Sequence, residues 1–225
     1  MSAKPIKKTD QLAGWNRKVN LSKSVIGSRN IAKKFLIVCE GQTEEIYFKS
    51  FPILTATVTA KGTGKTKLTL VKHAKQLAKE DNYDEIWCVF DMDINYAHQE
   101  NQRNDFNSAI KQCQETKKFK VAYSNDCFEL WFYLHFDYTD QQNHRTFYYK
   151  KLREFWSINY EEKGKELDFC KTIYKKLQES NCSQEEAIKR AEKLFKSKTH
   201  DLPCDQNPLT TVFELVRELN KYLKQ

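Results

Sequence analysis

Apolar and polar positions divide most of the chain into short segments of two alternating kinds. One kind is typical of strands: continuous apolar runs at residues 35–39 and 86–90, a β-branched segment at 53–58 and a short strand-like segment at 119–123. The other kind repeats its apolar residues every three or four positions, which predicts helices at 43–51, from 66, after 104 and at 127–136. Such alternation is typical of a mainly parallel sheet with helices on both faces.

The pattern changes after residue 140, where only helical periodicity follows. One of these helices begins with a capping box, in which Ser183 precedes Glu186 by three positions. We therefore predict a three-layer α/β/α, Rossmann-like architecture with a mainly parallel sheet of four strands and a helical C-terminal region. The expected organisation is a basic arm at 1–34, an α/β domain at 35–140 and the helical region at 141–225.

Composition places the chain among globular proteins and excludes collagen-like, low-complexity and wholly disordered classes. Of its 225 residues 40% are hydrophobic and 30% are charged, with only 6 Gly and 4 Pro. No apolar run reaches the ~20 residues of a membrane span, and the first residues lack the apolar core of a signal peptide. Seven cysteines without CxxC spacing indicate reduced thiols and no zinc site. We expect a soluble, cytoplasmic protein that does not engage membranes.

The net charge of +8 is concentrated in the arm at 1–34, which carries nine basic residues against Asp10 alone. Such an arm attracts polyanions, because each Lys or Arg that meets a phosphate releases a counterion. A solvated leader that only aids solubility is an equally good interpretation. If the chain holds nucleic acid, the candidate contacts are Lys7, Lys8, Arg17, Lys18, Lys33, Lys34 and Lys65. Lys65 stands in a glycine-rich loop that lacks the first glycine of an ATP-binding Walker A motif.

Acidic residues follow two of the predicted strands. Glu40 ends the first strand, and Asp91 and Asp93 end the third. In a parallel α/β sheet the carboxyl ends of the strands form the ligand-binding edge, so these carboxylates converge if the two strands are neighbours. Clustered carboxylates require a hard cation, and oxygen ligands suit Mg²⁺ or Mn²⁺. Gly41 would let the backbone approach a phosphate closely. The competing interpretation is that these acids only cap the helices that follow.

Further candidates lie at the same edge. Glu44 is near enough to Glu40 to help bind a metal, although the helix dipole alone favours an acid in a first turn. Glu129, among apolar neighbours, needs a partner, and a metal or a residue that binds one would supply it. Ser124 and Asn125 would hold a phosphate or cap the next helix, and for Ser124 we prefer the cap. The run 148–156 mixes basic and aromatic residues, which suits single-stranded nucleic acid and equally suits a helix that covers the sheet.

The two acidic segments resemble the Toprim pattern, in which Glu-Gly follows one strand and Asp-x-Asp follows another. A closer resemblance is to the RloB family of abortive phage-resistance proteins, whose characteristic segments correspond to 35–44, 83–93, 124–131 and 207–212. The resemblance implies a Toprim-like metal site used in anti-phage defence, with an AAA or ABC-type ATPase encoded nearby as a partner. Carried over to this chain, it makes Glu40 the general acid/base and Asp91 and Asp93 the Mg²⁺ ligands.

Functions of different classes follow from these observations. The first is an Mg²⁺-dependent nuclease that hydrolyses DNA or RNA, in which the metal polarises the phosphate and Glu40 transfers a proton. The alternative is a non-catalytic sensor or adaptor that binds nucleic acid and docks on the partner ATPase. In a third interpretation only the arm acts, by binding polyanions. The sequence leaves the oligomeric state open, with a homo-oligomer as one option.

Overall fold

Four parallel strands and one short antiparallel strand form the central sheet in this computed structural model, which describes residues 32–93, 99–179 and 181–224. The parallel strands are β1 (Lys33–Cys39), β2 (Ala56–Gly62), β3 (Glu85–Asp91) and β4 (Phe119–Asn125), and the antiparallel strand is β5 (Leu209–Thr210). Their order across the sheet is β2-β1-β3-β4-β5.

The fifth strand corrects the predicted four-stranded sheet. β5 belongs to the C-terminal region, for which only helices were predicted, and its two residues are too few to produce an alternating pattern. It adds to the edge of the sheet beside β4, with Thr210 opposite Ser124. The backbone N–H of Tyr123 donates to Thr211 Oγ1 at 2.9 Å, which fastens the C-terminal segment to the sheet.

Helices connect the strands and continue after β4. Their bounds are α1 (Gln42–Lys49), α2 (Lys67–Leu77), α3 (Gln99–Gln114), α4 (Glu129–Tyr133), α5 (Arg145–Trp156), α6 (Tyr160–Lys163), α7 (Leu167–Lys176), α8 (Gln184–Ser197) and α9 (Val212–Asn220), with a short 3₁₀ helix at Pro203–Asp205. β2 begins three residues later than its apolar run, because Ile53 forms an isolated bridge with Leu223 instead. In the described parts of the chain, no helix is both long and apolar enough to cross a membrane.

Successive side chains of the strands alternate between two cores, one on each face of the sheet. Phe35 and Ile37 pack with α1, with α4 and with the helices after residue 140, whereas Leu36 and Val38 pack with α2 and α3. The C-terminal helices therefore share the core of the sheet and form one of its outer layers. The predicted three-layer α/β/α, mostly parallel, Rossmann-like architecture is confirmed.

The strand order places the acidic strand ends side by side. β1 and β3 are direct neighbours, with Cys39 opposite Val89, and the backbone N–H of Glu40 donates to the Val89 carbonyl at 3.0 Å. Because the two strands are parallel, Glu40 and Asp91 leave the sheet at the same edge.

Candidate functional site

A cavity of about 280 Å³ lies at the carboxyl ends of β1 and β3. The five acids that the sequence suggested as metal ligands all line it: Glu40, Glu44, Asp91, Asp93 and Glu129. Gly41 lines it as well. The lining also includes two cations and an aromatic ring, supplied by Arg145, Lys165 and Tyr149. The cavity therefore combines acids from the sheet edge with basic residues from the C-terminal region.

Three of the acids have a carboxylate oxygen that is buried without a hydrogen-bond donor. Asp91 Oδ2 accepts the backbone N–H of Phe128 at 2.8 Å. By contrast Asp91 Oδ1, Glu40 Oε2 and Glu44 Oε2 are buried and have no hydrogen-bond partner among the described residues. Buried polar atoms are nearly always paired, since an unpaired one carries the full penalty of desolvation. Each of these oxygens therefore needs a proton or a cation.

Burial raises the pKa of the same three carboxyl groups. It raises the pKa of Glu44 to about 7, and the negative charges of Glu129 and Glu40 add to the effect. The pKa of Asp91 lies well above its ordinary value, again through burial first and through the charges of Glu44 and Glu40 second. Burial also raises the pKa of Glu40, which the charge of Lys67 partly offsets. The cluster is thus short of positive charge.

Glu129 is held at the inner wall of the cavity. It is buried, and its Oε1 accepts the hydroxyl of Tyr160 at 3.3 Å. Burial lowers the pKa of Lys165, but the charges of Glu129 and Glu44 and the contact with Tyr149 together outweigh it, so the pKa of this lysine is raised. The Lys165 ammonium also lies 5.7 Å from the centre of the Tyr149 ring. Glu129 therefore has a hydrogen-bond donor and a nearby cation of its own.

Arg145 ties Asp93 to the loop after β4. Its guanidinium forms an ion pair with Asp93 and lies 3.7 Å from Asp126 Oδ1. The fully buried Asp126 also accepts the backbone N–H of Arg145 at 3.0 Å, and its carbonyl accepts the N–H of Asp93 at 3.0 Å. Asp93 thus has Arg145 as its partner. The orphaned oxygens of the other acids have none among the described residues.

The residues of the cavity fit a hard divalent cation by chemistry and burial. The donors are carboxylate oxygens alone, as Mg²⁺ and Mn²⁺ prefer, and three of them lack any partner in the described structure. Across residues 32–93, 99–179 and 181–224, no group of three or more His, Cys, Asp or Glu side chains has a geometry that could hold a metal ion. The fit is thus one of chemistry and burial at Glu40, Glu44 and Asp91, and not of a preformed coordination geometry.

Ser124 and Asn125 lie outside this cavity and fasten the C-terminal segment. Ser124 Oγ is 3.0 Å from Thr210 Oγ1, and Asn125 Nδ2 donates to the carbonyls of Pro203 and Cys204 at 3.2 and 3.0 Å. Both residues are fully buried at the end of β4. Neither residue caps the next helix, since Phe128 is the N-cap of α4. Ser124 contacts β5 instead, and Asn125 contacts the segment before β5.

The candidate nucleic-acid contacts fall into separate places. Lys33 and Lys34 lie at the opposite end of β1 from Glu40, about 20 Å away. Both are ion-paired, Lys33 with Glu85 and Glu218 and Lys34 with Asp81. Lys65 is exposed on the loop after β2. In the same loop the backbone N–H of Gly64 donates a hydrogen bond of 2.9 Å to the Glu40 carbonyl, at the end of β1. Outside the described residues lie Lys7, Lys8, Arg17 and Lys18.

The cavity residues and their partners that sequence reasoning missed come from the region after residue 140. Arg145, Lys165 and Tyr160 had no motif to mark them. Tyr149 was part of the basic and aromatic run 148–156. Within this run Tyr148 is fully buried in the core, as in a helix that covers the sheet, whereas Tyr149 lines the cavity.

Similarity to known proteins agrees with the sequence resemblance at the level of the family. The family described as RloB-like protein matches residues 35–219, which include every acid of the cavity and β5. No curated protein and no solved structure matches the chain. The family suggests an association with phage defence and specifies no reaction. Because the match covers most of its length, the chain belongs to the RloB-like family.

Proposed function

We propose that this chain is an Mg²⁺-dependent nuclease of phage defence, which hydrolyses a phosphodiester bond of DNA or RNA in the acidic cavity. The observation that carries the proposal is the set of three buried carboxylate oxygens without a partner, on Glu40, Glu44 and Asp91 around one cavity. Such a set is unfavourable by itself and is relieved by a divalent cation. Mg²⁺ or Mn²⁺ would supply Lewis-acid activation of the phosphate there.

The residues of the cavity divide the remaining work. Glu40, Glu44 and Asp91 would hold the cation, and the hydrogen bond from the Phe128 N–H keeps Asp91 in place. Glu40 would also transfer the proton, the role that the family resemblance implies for it. Arg145 and Lys165, which also line the cavity, would bind the phosphate oxygens. Asp93 would hold Arg145 in position, and Glu129 would do the same for Lys165.

In the cell, the nuclease would work with a partner protein. A Toprim-like site in an RloB-like protein suits a defence system in which a partner ATPase of the AAA or ABC type, encoded nearby, controls the nuclease. The chain itself offers no ATP-binding motif at residues 62–66, so energy coupling would belong to that partner.

The experiment is a cleavage assay with purified protein on single- and double-stranded DNA and RNA, in Mg²⁺, in Mn²⁺ and in EDTA. We expect metal-dependent cleavage that Asp91→Asn and Glu40→Gln abolish. Glu45→Gln is the matched control, because Glu45 lies in the same turn of α1 as Glu44 but pairs with Lys49 outside the cavity. The assay is repeated with the ATPase present.

A second measurement, of the melting temperature, tests metal binding separately from cleavage. Mn²⁺ should raise the melting temperature of the wild type and of Glu45→Gln, and it should not raise that of Asp91→Asn. A metal shift without cleavage, with or without the ATPase, would favour the sensor or adaptor function. The absence of both would reject the metal site.

A further inference from the structure

Helix α5 presents two different faces. Tyr148 and Leu152 are fully buried and anchor the helix on the sheet. Arg145, Tyr149 and Arg153 follow one another at intervals of four residues, so they form a row along a neighbouring face. The row runs from the acidic cavity outward and spans about 12 Å, at 1.5 Å per helical residue.

Two cavities adjoin along this row and share Tyr149. The first is the acidic cavity, which Arg145 and Tyr149 line. The second has a volume of about 100 Å³, and its lining includes Tyr149, Lys150, Arg153 and Glu161. Tyr149 is half-buried, and its ring packs against Tyr160 with 5.6 Å between the ring centres. An aromatic residue therefore marks the passage between the two cavities.

Basic residues continue past that aromatic residue. Lys150 and Arg153 are exposed at the second cavity and outnumber Glu161, the one acid among its lining residues. On the other side of Tyr149, Arg145 and Lys165 line the first cavity. The order along α5 is thus cation, aromatic ring, cation, which matches the phosphate, base and phosphate of a polynucleotide strand.

We propose that α5 guides a single-stranded nucleic acid into the acidic cavity, with a base against Tyr149 and a flanking phosphate on Lys150 and Arg153. This inference rests on the proposed function, because it takes the acidic cavity as the place of the scissile phosphate. A single strand suits the row better than a duplex does, since an aromatic ring contacts bases that are unpaired. In a duplex the bases stay stacked inside, and only phosphates would reach α5.

Binding in EDTA tests the inference without any hydrolysis. Fluorescence anisotropy is measured with labelled oligothymidine and oligouridine and with a duplex of the same length, over a range of salt concentrations. For either single strand, Arg153→Gln should reduce the slope of log K against log salt by about 0.7, the value for one phosphate contact. Tyr149→Leu should weaken binding about fivefold or more, and Tyr149→Phe should keep it.

Lys151→Gln is the matched control, because Lys151 lies on the same helix, pairs with Glu154 and lines neither cavity. The inference would be overturned if the salt slope of Arg153→Gln and the affinity of Tyr149→Leu were both equal to those of Lys151→Gln. Equal losses on the duplex would also overturn it and indicate a phosphate surface for double strands. Single-strand binding that depends on this row, in a protein that cleaves nothing, would reject the proposed function alone.

Discussion

The carboxylate of Glu44 occupies the space above Gly41: a Cβ on residue 41 would lie 2.7 Å from Glu44 Oε2. Gly41 is the N-cap of α1 and has extended backbone angles that any residue can adopt, with φ −116°. Glycine is therefore needed at this position for space. Its absent side chain lets the carboxylate of Glu44 fold back towards Glu40 and the cavity.

Gly41→Ala should weaken divalent-ion binding more than it weakens the fold. The atom that a new Cβ meets is the end of a flexible side chain, so Glu44 turns away and the backbone stays in place. We expect an unfolding free energy lower by about 1 kcal/mol, as for an N-cap glycine replaced by alanine. The Mn²⁺-induced rise in melting temperature should be largely lost. An unchanged Mn²⁺ response in a folded Gly41→Ala protein would remove Glu44 from the set of ligands.

Glu44→Gln should stabilise the metal-free protein at alkaline pH. Burial raises the pKa of Glu44 to about 7, above the value near 4.3 of an unfolded chain. The protonated carboxyl favours folding fully below the unfolded pKa, and that contribution is lost as pH rises through about 7. The variant should therefore exceed the wild type at pH 8 in EDTA by up to roughly 3 kcal/mol, and the two should agree near pH 4.5.

Urea unfolding at the two pH values measures this difference. Glu45→Gln is measured alongside as the matched control, because the Glu45 side chain pairs with Lys49 outside the cavity. With saturating Mn²⁺ at pH 8 the order should reverse, because the cation stabilises the wild type more than the variant. A wild type more stable than Glu44→Gln at pH 8 in EDTA would mean that the Glu44 carboxylate has a partner of its own.

The acidic half of the site was accessible from sequence, and the basic half was not. Glu40 and Asp91 each stand directly after an apolar run, and parallel strands bring such positions to one edge whatever the details of packing. Arg145 and Lys165 follow no strand. They reach the cavity only because α5 to α7 pack back on the sheet, and that packing depends on many contacts at once.

Ser124 and Asn125 show a second limit of sequence reasoning. Their place at the end of β4 was predicted, and it suggested a phosphate or a helix cap as their partner. The partner is β5 and the segment before it, some 80 residues later in the chain. Two residues of strand leave no periodic pattern, so neither β5 nor the bonds to it could be predicted.

The ion pair of Arg145 with Asp93 should compete with metal binding at Asp93. Arg145→Gln frees Asp93 for a cation, and we expect it to tighten Mn²⁺ binding more than Lys165→Gln does. Lys165→Gln is the matched control, because it removes the same charge from the same cavity without releasing Asp93. Mn²⁺ titrations of Arg145→Gln, of Asp93→Asn and of the double variant form a double-mutant cycle.

The cycle should give a coupling of about 0.5–3 kcal/mol, the range for residues in direct contact. In the Asp93→Asn background Arg145→Gln should improve Mn²⁺ binding only as much as Lys165→Gln does. Additive effects would show that the ion pair and the metal do not share Asp93, and Asp93 would then serve only to position Arg145.

His135 should make the protein sensitive to acid through its buried ring. His135 follows α4 in the chain and is 2% exposed, and its Nδ1 lies 2.9 Å from the Trp131 carbonyl, to which it donates. Burial lowers the pKa of His135 to about 4, from about 6.5 in an unfolded chain. The neutral ring therefore favours folding above pH 6.5, and this contribution is lost as pH falls from 6.5 to about 4.

His135→Asn keeps a donor near the carbonyl and cannot titrate in this range. The unfolding free energy of the wild type relative to His135→Asn should fall by up to about 3 kcal/mol over that interval. A difference between wild type and His135→Asn that stays constant from pH 7 to pH 4 would mean that the ring accepts its proton without unfolding the core around it.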